Sequence, residues 1–354
     1  MKTSTIGFPG LGIDNFKLDN VSFKIFGREI MWYGIIITIG ILSAFFYACY
    51  RAKHNEHIKT DDVLDYAIFL VLFGVVGARL YYVFTKFDTY KGESLKDTLY
   101  NIIAVWEGGL AIYGGIIAGF IALVIVSLVK KIKLGKALDM IAPGVMLGQL
   151  IGRWGNFFNA EAYGWSNGVE KLPWRMYLEG AYYEKLVNGK TEKVFVDYVH
   201  PTFLYESLWN LLGFIIINLV YKKKKFDGQI FFMYISWYGF GRMLIEGLRT
   251  DSLYWGSFRI SQLIGFFCFF IGFGLLVSML IVTGLRNRDE KKNSKKLEAV
   301  TVNEAPSISE DGLNTSDDRN ETEENITSNE LRAEESGFDI SAAHSDDGDD
   351  EDDE

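Results

Sequence analysis

The chain has 354 residues, 49% hydrophobic and 15% aromatic, and its net charge of −9 is unevenly spread. Residues 301–354 hold twenty acidic and two basic side chains, so this stretch carries −18 and residues 1–300 carry about +9. The overall acidity therefore says nothing about the partners of the body, whose basic, strongly apolar make-up is membrane composition.

Cys49 and Cys268 are the only cysteines, and both lie in apolar runs. Two isolated thiols there exclude a disulfide framework and a cysteine metal site, and they read as small buried hydrophobes. Residues 1–30 mix polar and apolar side chains without a basic end leading into a short apolar core, so no cleavable leader is expected. The first long apolar run, from about Ile30, reads as a retained anchor.

Runs of about twenty residues with few charges are long enough to cross a hydrocarbon core of ~30 Å. They fall at 30–50, 63–84, 109–129, 139–158, 202–221, 228–248 and 260–284. The predicted class is thus all-α and polytopic, with about seven transmembrane helices. Basic clusters follow the first span (Arg51, Lys53, Lys59), the third (Lys130, Lys131, Lys133, Lys136), the fifth (Lys222 to Lys225) and the seventh (Arg286 to Lys296). Seven crossings put all four on one side, and the positive-inside rule makes that side cytoplasmic, with the N-terminus outside and the C-terminus inside. The loop 159–201, rich in Trp and Tyr, is expected to form a small extracytoplasmic head on a bundle of residues 1–285. Trp32, Tyr33, Trp106, Trp154, Trp209 and Trp237 sit near span edges, as an interfacial belt would require. Residues 286–354, basic and then acidic, cannot bury enough apolar area and are expected to be a disordered cytoplasmic tail. The basic stretch 286–296 is suited to anionic lipid.

Charged residues inside spans are costly and mark sites or pathways. Here they are Arg79, Asp139, Arg153, Glu206, Arg242, Glu246 and Arg249. Arg242, Glu246 and Arg249 share a helical face with Tyr238, and Arg153 shares one with Asn156, followed by Asn159 and Glu161. Two arginines against one carboxylate leave a positive stripe, and guanidinium groups bind phosphate oxygens in bidentate fashion. An outward-facing site for an anionic, phosphorylated lipid follows. The segment Gly108-Gly109-Leu110-Ala111-Ile112-Tyr113-Gly114-Gly115 reads as irregular backbone facing a cavity, though packing alone accounts for Gly115 and Gly119. A lipid transporter would need similar residues, but it should show repeated halves, and no internal repeat is found.

The segment from Gly152 to Glu161, Gly-Arg-Trp-Gly-Asn-Phe-Phe-Asn-Ala-Glu, closed by Gly164, resembles the signature of the prolipoprotein diacylglyceryl transferases. Further matches occur in the family's order: Trp32-Tyr33-Gly34, the Gly108–Gly115 segment, His200-Pro201-Thr202 with Leu204-Tyr205-Glu206, and Tyr238-Gly239 with Arg242, Glu246 and Arg249. The resemblance covers roughly residues 15–285. It implies transfer of diacylglyceryl from phosphatidylglycerol to the lipobox cysteine of a preprolipoprotein in the bacterial cell membrane, with no metal, soluble cofactor or nucleic acid. It also implies that Arg153 and Arg242 hold the headgroup phosphate, and that Asn156, Asn159, Glu161, Glu246, Arg249 and Gly114 line or orient the site. Tyr33, Tyr238 and Tyr205 become hydroxyl partners. Many members carry histidine where this chain has Tyr113, and a neutral tyrosine is a poor base at pH 7. Tyr113 acting in the arginine field, another group such as His200, and thiolate formation without a dedicated base all remain open. The last is favoured, with a structural role for His200 beside Pro201.

Overall fold

The structure is a computed structural model that describes residues 3–92, 94–187, 190–256 and 258–303. The chain divides into two units, residues 1–292 and 293–354. Of the second unit, only the helical residues 293–303 are among those described.

The chain opens in β structure. Strands β1 (Thr3–Phe8) and β2 (Ile13–Asp19) form a hairpin, and β3 (Val21–Ile25) and β4 (Arg28–Met31) form another. Helix α1 (Trp32–Arg51) continues through a π turn to Glu56, and α2 (Thr60–Thr85) follows. Two short helices, α3 (Phe87–Tyr90) and α4 (Leu95–Ile103), lead to α5 (Ile112–Val129) and α6 (Leu134–Phe158). Strands β5 (Met176–Val187) and β6 (Lys190–Val199) precede α7 (Thr202–Tyr221) and α8 (Gln229–Ile245). A small hairpin, β7 (Tyr254–Trp255) and β8 (Phe258–Arg259), leads into α9 (Ile260–Asn303).

All seven apolar segments are helical. Among the described residues, six helices are long and apolar enough to cross a membrane. The segment expected at 228–248 is the exception: α8 stops after 17 residues, and Glu246–Leu248 tightens into a 3-10 turn. The tail departs from expectation too. Residues 286–303 continue α9, helped by Arg286 and Glu290, paired at i, i+4 with 2.9 Å between them. The rest of the tail, 304–354, lies outside the described residues.

The head is β. Its antiparallel sheet runs β2-β1-β5-β6, with Ile6 opposite Leu178, so the N-terminal strands complete a sheet whose other half is the 176–199 hairpin. Alternation explains it: Met176 and Leu178 point inward with Ile6 and Val199, and Phe157 at the end of α6 packs against this core. The sheet is thereby tied to α6.

At the opposite end of α6, Asp139 is wholly buried. Its carboxylate accepts from the Gly228 and Phe231 amides at 2.8 and 3.0 Å, capping α8 from a neighbouring helix. Lys224 Nζ lies 2.6 Å from Glu56 and 3.1 Å from Asp139, and the Tyr221 hydroxyl donates to Glu56 at 2.9 Å. Asp139, a charge expected to mark a site or pathway, is a structural clasp between α6 and the α7–α8 turn. Arg79 has a structural role as well. Its guanidinium gathers the carbonyls of Asn101, Ile102, Ala104, Gly108 and Gly109, which fixes the irregular lead-in to α5. Gly109 has φ 76°, and a Cβ there would stand 2.6 Å from the Arg79 guanidinium, so only glycine fits this loop. Trp209 and Trp237 are not an interfacial belt: their rings stack at 4.4 Å and each indole donates to the other's carbonyl, pairing α7 with α8.

Removing Asp139 leaves Lys224 and the α8 N-terminus short of a buried partner. Asp139→Ala is expected to destabilise by about 3–5 kcal/mol, since breaking a buried pair strands its partner. Arg286→Ala, which loses only an exposed pair, should leave the unfolding midpoint nearly unchanged. Thermal unfolding of both variants in detergent checks the contrast.

Candidate active site

Between α1, α5, α6, α8 and α9 lies a cavity of about 630 Å³. Its polar end is formed by Arg153 and Asn156 of α6, Tyr238 and Arg242 of α8, Arg249 beyond α8, Tyr33 of α1 and Tyr113 of α5. Ile37, Ile41, Val145 and Ile264 make the remainder apolar. Tyr33 reaches α6 because residue 155 is glycine: a Cβ there would stand 2.8 Å from the tyrosine ring.

The arginines share one carboxylate. Glu206 of α7, only 5% exposed, receives Arg153 Nη2 at 2.6 Å on one oxygen. Its other oxygen receives Arg242 Nη1 at 3.1 Å and Arg249 Nη1 at 3.5 Å. Arg242 Nη2 also stands 2.7 Å from Glu246 Oε2, the expected i, i+4 pair. Arg249 is not on the α8 face. It follows the 3-10 turn in extended backbone and forms a bidentate pair with Asp251, at 2.9 and 2.8 Å. Three arginines thus meet Glu206, Glu246 and Asp251, and the unneutralised stripe expected from sequence is charge-balanced.

The balance is lopsided in space. Arg153, Arg242 and Arg249 line the cavity, whereas those three carboxylates do not. The ion pairs therefore turn their positive ends inward. Each guanidinium carries five N–H groups, and among the described residues Arg153 meets two acceptors, Glu206 and Asn156 Oδ1, the latter at 3.2 Å. Preorganised donors remain for an anion.

Asn156 Nδ2 and Asn159 Nδ2 both donate to Glu161 Oε1, at 3.0 and 3.3 Å. Glu161 and Asn159 stand off the cavity wall and act on Arg153 through Asn156. The turn that carries them is strained, with Ala160 and Ala162 at φ 49° and 57°. Gly114 packs against Gly77 of α2, where a Cβ would run into the Gly77 carbonyl. The Tyr113 hydroxyl is 2.9 Å from Ser261 Oγ, which joins α5 to α9 across the cavity. His200 lies off the wall: its Nδ1 is 3.0 Å from the Tyr205 hydroxyl, and its carbonyl accepts from the Gly164 amide at 2.9 Å. Sequence reasoning flagged Glu206 as an intramembrane charge but gave it no role, and it missed Asp251 and Ser261 altogether. The partners of Glu206 and Ser261 lie on other elements, so spacing gave no signal; Asp251 stands two residues from Arg249, a spacing that does not share a face of the helix expected there.

Burial holds the His200 imidazole below its ordinary range. The unfolded chain then takes up a proton near pH 6.5 that the folded protein resists, so stability is full above that pH and falls as pH drops below it. His200→Gln should remove this component. Unfolding midpoints of both proteins between pH 7.5 and 5 test it, with a shallower decline expected for the variant.

A family model described as prolipoprotein diacylglyceryl transferase matches residues 20–278. The phosphatidylglycerol–prolipoprotein diacylglyceryl transferase of Finegoldia magna is 44% identical over 248 residues, covering 70% of this chain and 90% of the relative. The enzymes of the same name from Listeria innocua and Streptococcus suis are 38% identical over 262 residues and 39% over 281. These alignments cover 73% and 77% of this chain, and 89% and 94% of the two relatives. With a match across the bundle, the cavity and its arginines, the chain belongs to the prolipoprotein diacylglyceryl transferase family.

Proposed function

We propose that this protein transfers the diacylglyceryl group of phosphatidylglycerol to the lipobox cysteine thiol of preprolipoproteins, at the outer face of the bacterial cell membrane. The observation that carries this reading is the cavity itself, with three paired arginines at a polar end and apolar side chains over much of the rest. An anionic headgroup suits the first part and acyl chains the second. The lysine-rich turns lie at the Asp139 end of the bundle, away from the arginines, which supports an extracytoplasmic site by the positive-inside rule.

In the reaction the cysteine thiol loses its proton and the sulfur attacks the glyceryl carbon that bears the phosphate oxygen. The C–O bond breaks as the C–S bond forms, and glycerol phosphate departs with the electron pair. Charge accumulates on the phosphate, where Arg153 and Arg242 supply fixed N–H donors. Glu206 and Glu246 hold those guanidinium groups, so little reorganisation is needed as the bond breaks. Asn156 and Tyr33 lie where headgroup hydroxyls would reach, and Arg249 completes the charged wall. Gly114, by its packing against α2, sets the place of α5 and so of Tyr113.

The test follows labelled diacylglyceryl from phosphatidylglycerol to a lipobox peptide with purified protein. Wild type should give a thioether product, and Arg153→Ala should lower kcat by about a hundredfold or more, the scale of losing a transition-state donor. Well-folded wild type that gives no product in native-like lipid would favour a lipid transporter.

A further inference from the structure

One polar side chain on the cavity wall has no part in the transfer reaction. Gln149 lies one turn before Arg153 on α6 and lines the same cavity. Its Nε2 is 2.9 Å from the Tyr234 hydroxyl, while its Oε1 is closed to solvent and has no hydrogen-bond partner. The amide belongs to the wall of a largely apolar chamber, and its Nε2 carries a second N–H beyond the one that faces Tyr234. Among the described residues Nε2 meets only the Tyr234 hydroxyl, so one N–H donor remains.

The order of residues along α6 says what that donor meets. From the head inward its cavity side presents Asn156, Arg153, Gln149 and then Gly148 and Val145. A phosphoglycerolipid presents its parts in the same order: headgroup hydroxyls, phosphate, ester carbonyls, acyl chains. Arg153 and Gln149 are separated by about 6 Å along the helix axis, a matter of a few covalent bonds in the lipid. The diacylglyceryl portion offers a protein only acceptors, its two ester carbonyls, so recognition there requires a donor.

We propose that Gln149 is a specificity-determining residue that reads the ester linkage of the lipid, its amide N–H donating to a glycerol-ester carbonyl. The inference rests on the transfer reaction proposed above. The carbonyl is not the reacting group, so its removal leaves the bond that breaks unchanged and isolates recognition.

The experiment compares diester phosphatidylglycerol with its diether analogue, which has the same chains and headgroup but no ester carbonyls. Both lipids are offered to wild type, Gln149→Leu and Gln149→Met in the same detergent. Wild type should favour the diester by about tenfold in kcat/KM, the worth of one well-made hydrogen bond. A folded variant should use both lipids alike, chiefly by losing activity on the diester. Two results would overturn the proposal: wild type that does not discriminate, or a variant that keeps the wild-type preference. Tying α6 to α8 through Tyr234 alone would leave the preference in place. No product from wild type with the diester overturns the transfer reaction itself, a distinct outcome.

Discussion

The arrangement depends on one carboxylate. Glu206 brings guanidinium groups from α6, from α8 and from the segment beyond α8 onto two oxygens. Without it, three cations would face one another in a medium where charge repulsion is weakly screened. With it, a buried ion network becomes tolerable because each charge has a partner and both Glu206 oxygens are used. The geometry also has a direction. The carboxylates stand behind the arginines, so a balanced cluster still turns positive ends toward the cavity. Net charge alone would have missed this polarity.

Helix α6 is pinned at both ends by such clusters. Asp139 clasps Lys224 and the start of α8 at one end, and Arg153 meets Glu206 at the other, about 21 Å away along the helix. Both clusters involve the α7–α8 pair, which the stacked Trp209 and Trp237 hold between them. The stretch of α6 that lines the cavity is therefore held at two fixed points and across its width. This rigidity keeps the Arg153 donors aimed into the cavity and prevents them from relaxing onto other acceptors.

The helices were legible in the sequence because hydrophobic length is a local property, and the bounds of α7 at 202–221 agree residue for residue with the apolar run. The β head was not. Its sheet pairs Ile6 with Leu178, partners so far apart in the chain that no local pattern joins them. The arginines were legible as misplaced charges, and Arg242 with Glu246 as a helical pair. Their balance was not, since Glu206 comes from another helix and Asp251 meets Arg249 only because the helix has already ended. Asp139 shows the limit of the polarity rule: it flags a buried charge without telling a clasp from a site.

Tyr113 bears on how the thiol is activated. Its hydroxyl is engaged with Ser261, so it links α5 to α9 across the cavity instead of standing free as a proton acceptor. Magnitudes decide whether another base is required. A thiol with pKa near 8.5 is about 3% ionised at pH 7, so complete deprotonation gains at most about thirtyfold. Part of that gain is lost again, because a thiolate becomes less nucleophilic as its pKa falls. Donors fixed on a leaving oxyanion are worth about a hundred- to a thousandfold. In the proposed reaction the greater acceleration therefore comes from Arg153 and Arg242, which face the cavity in front of a shared carboxylate. A fold that secures those two side chains has little to gain from a dedicated base, and a tyrosine at position 113 is chemically sufficient.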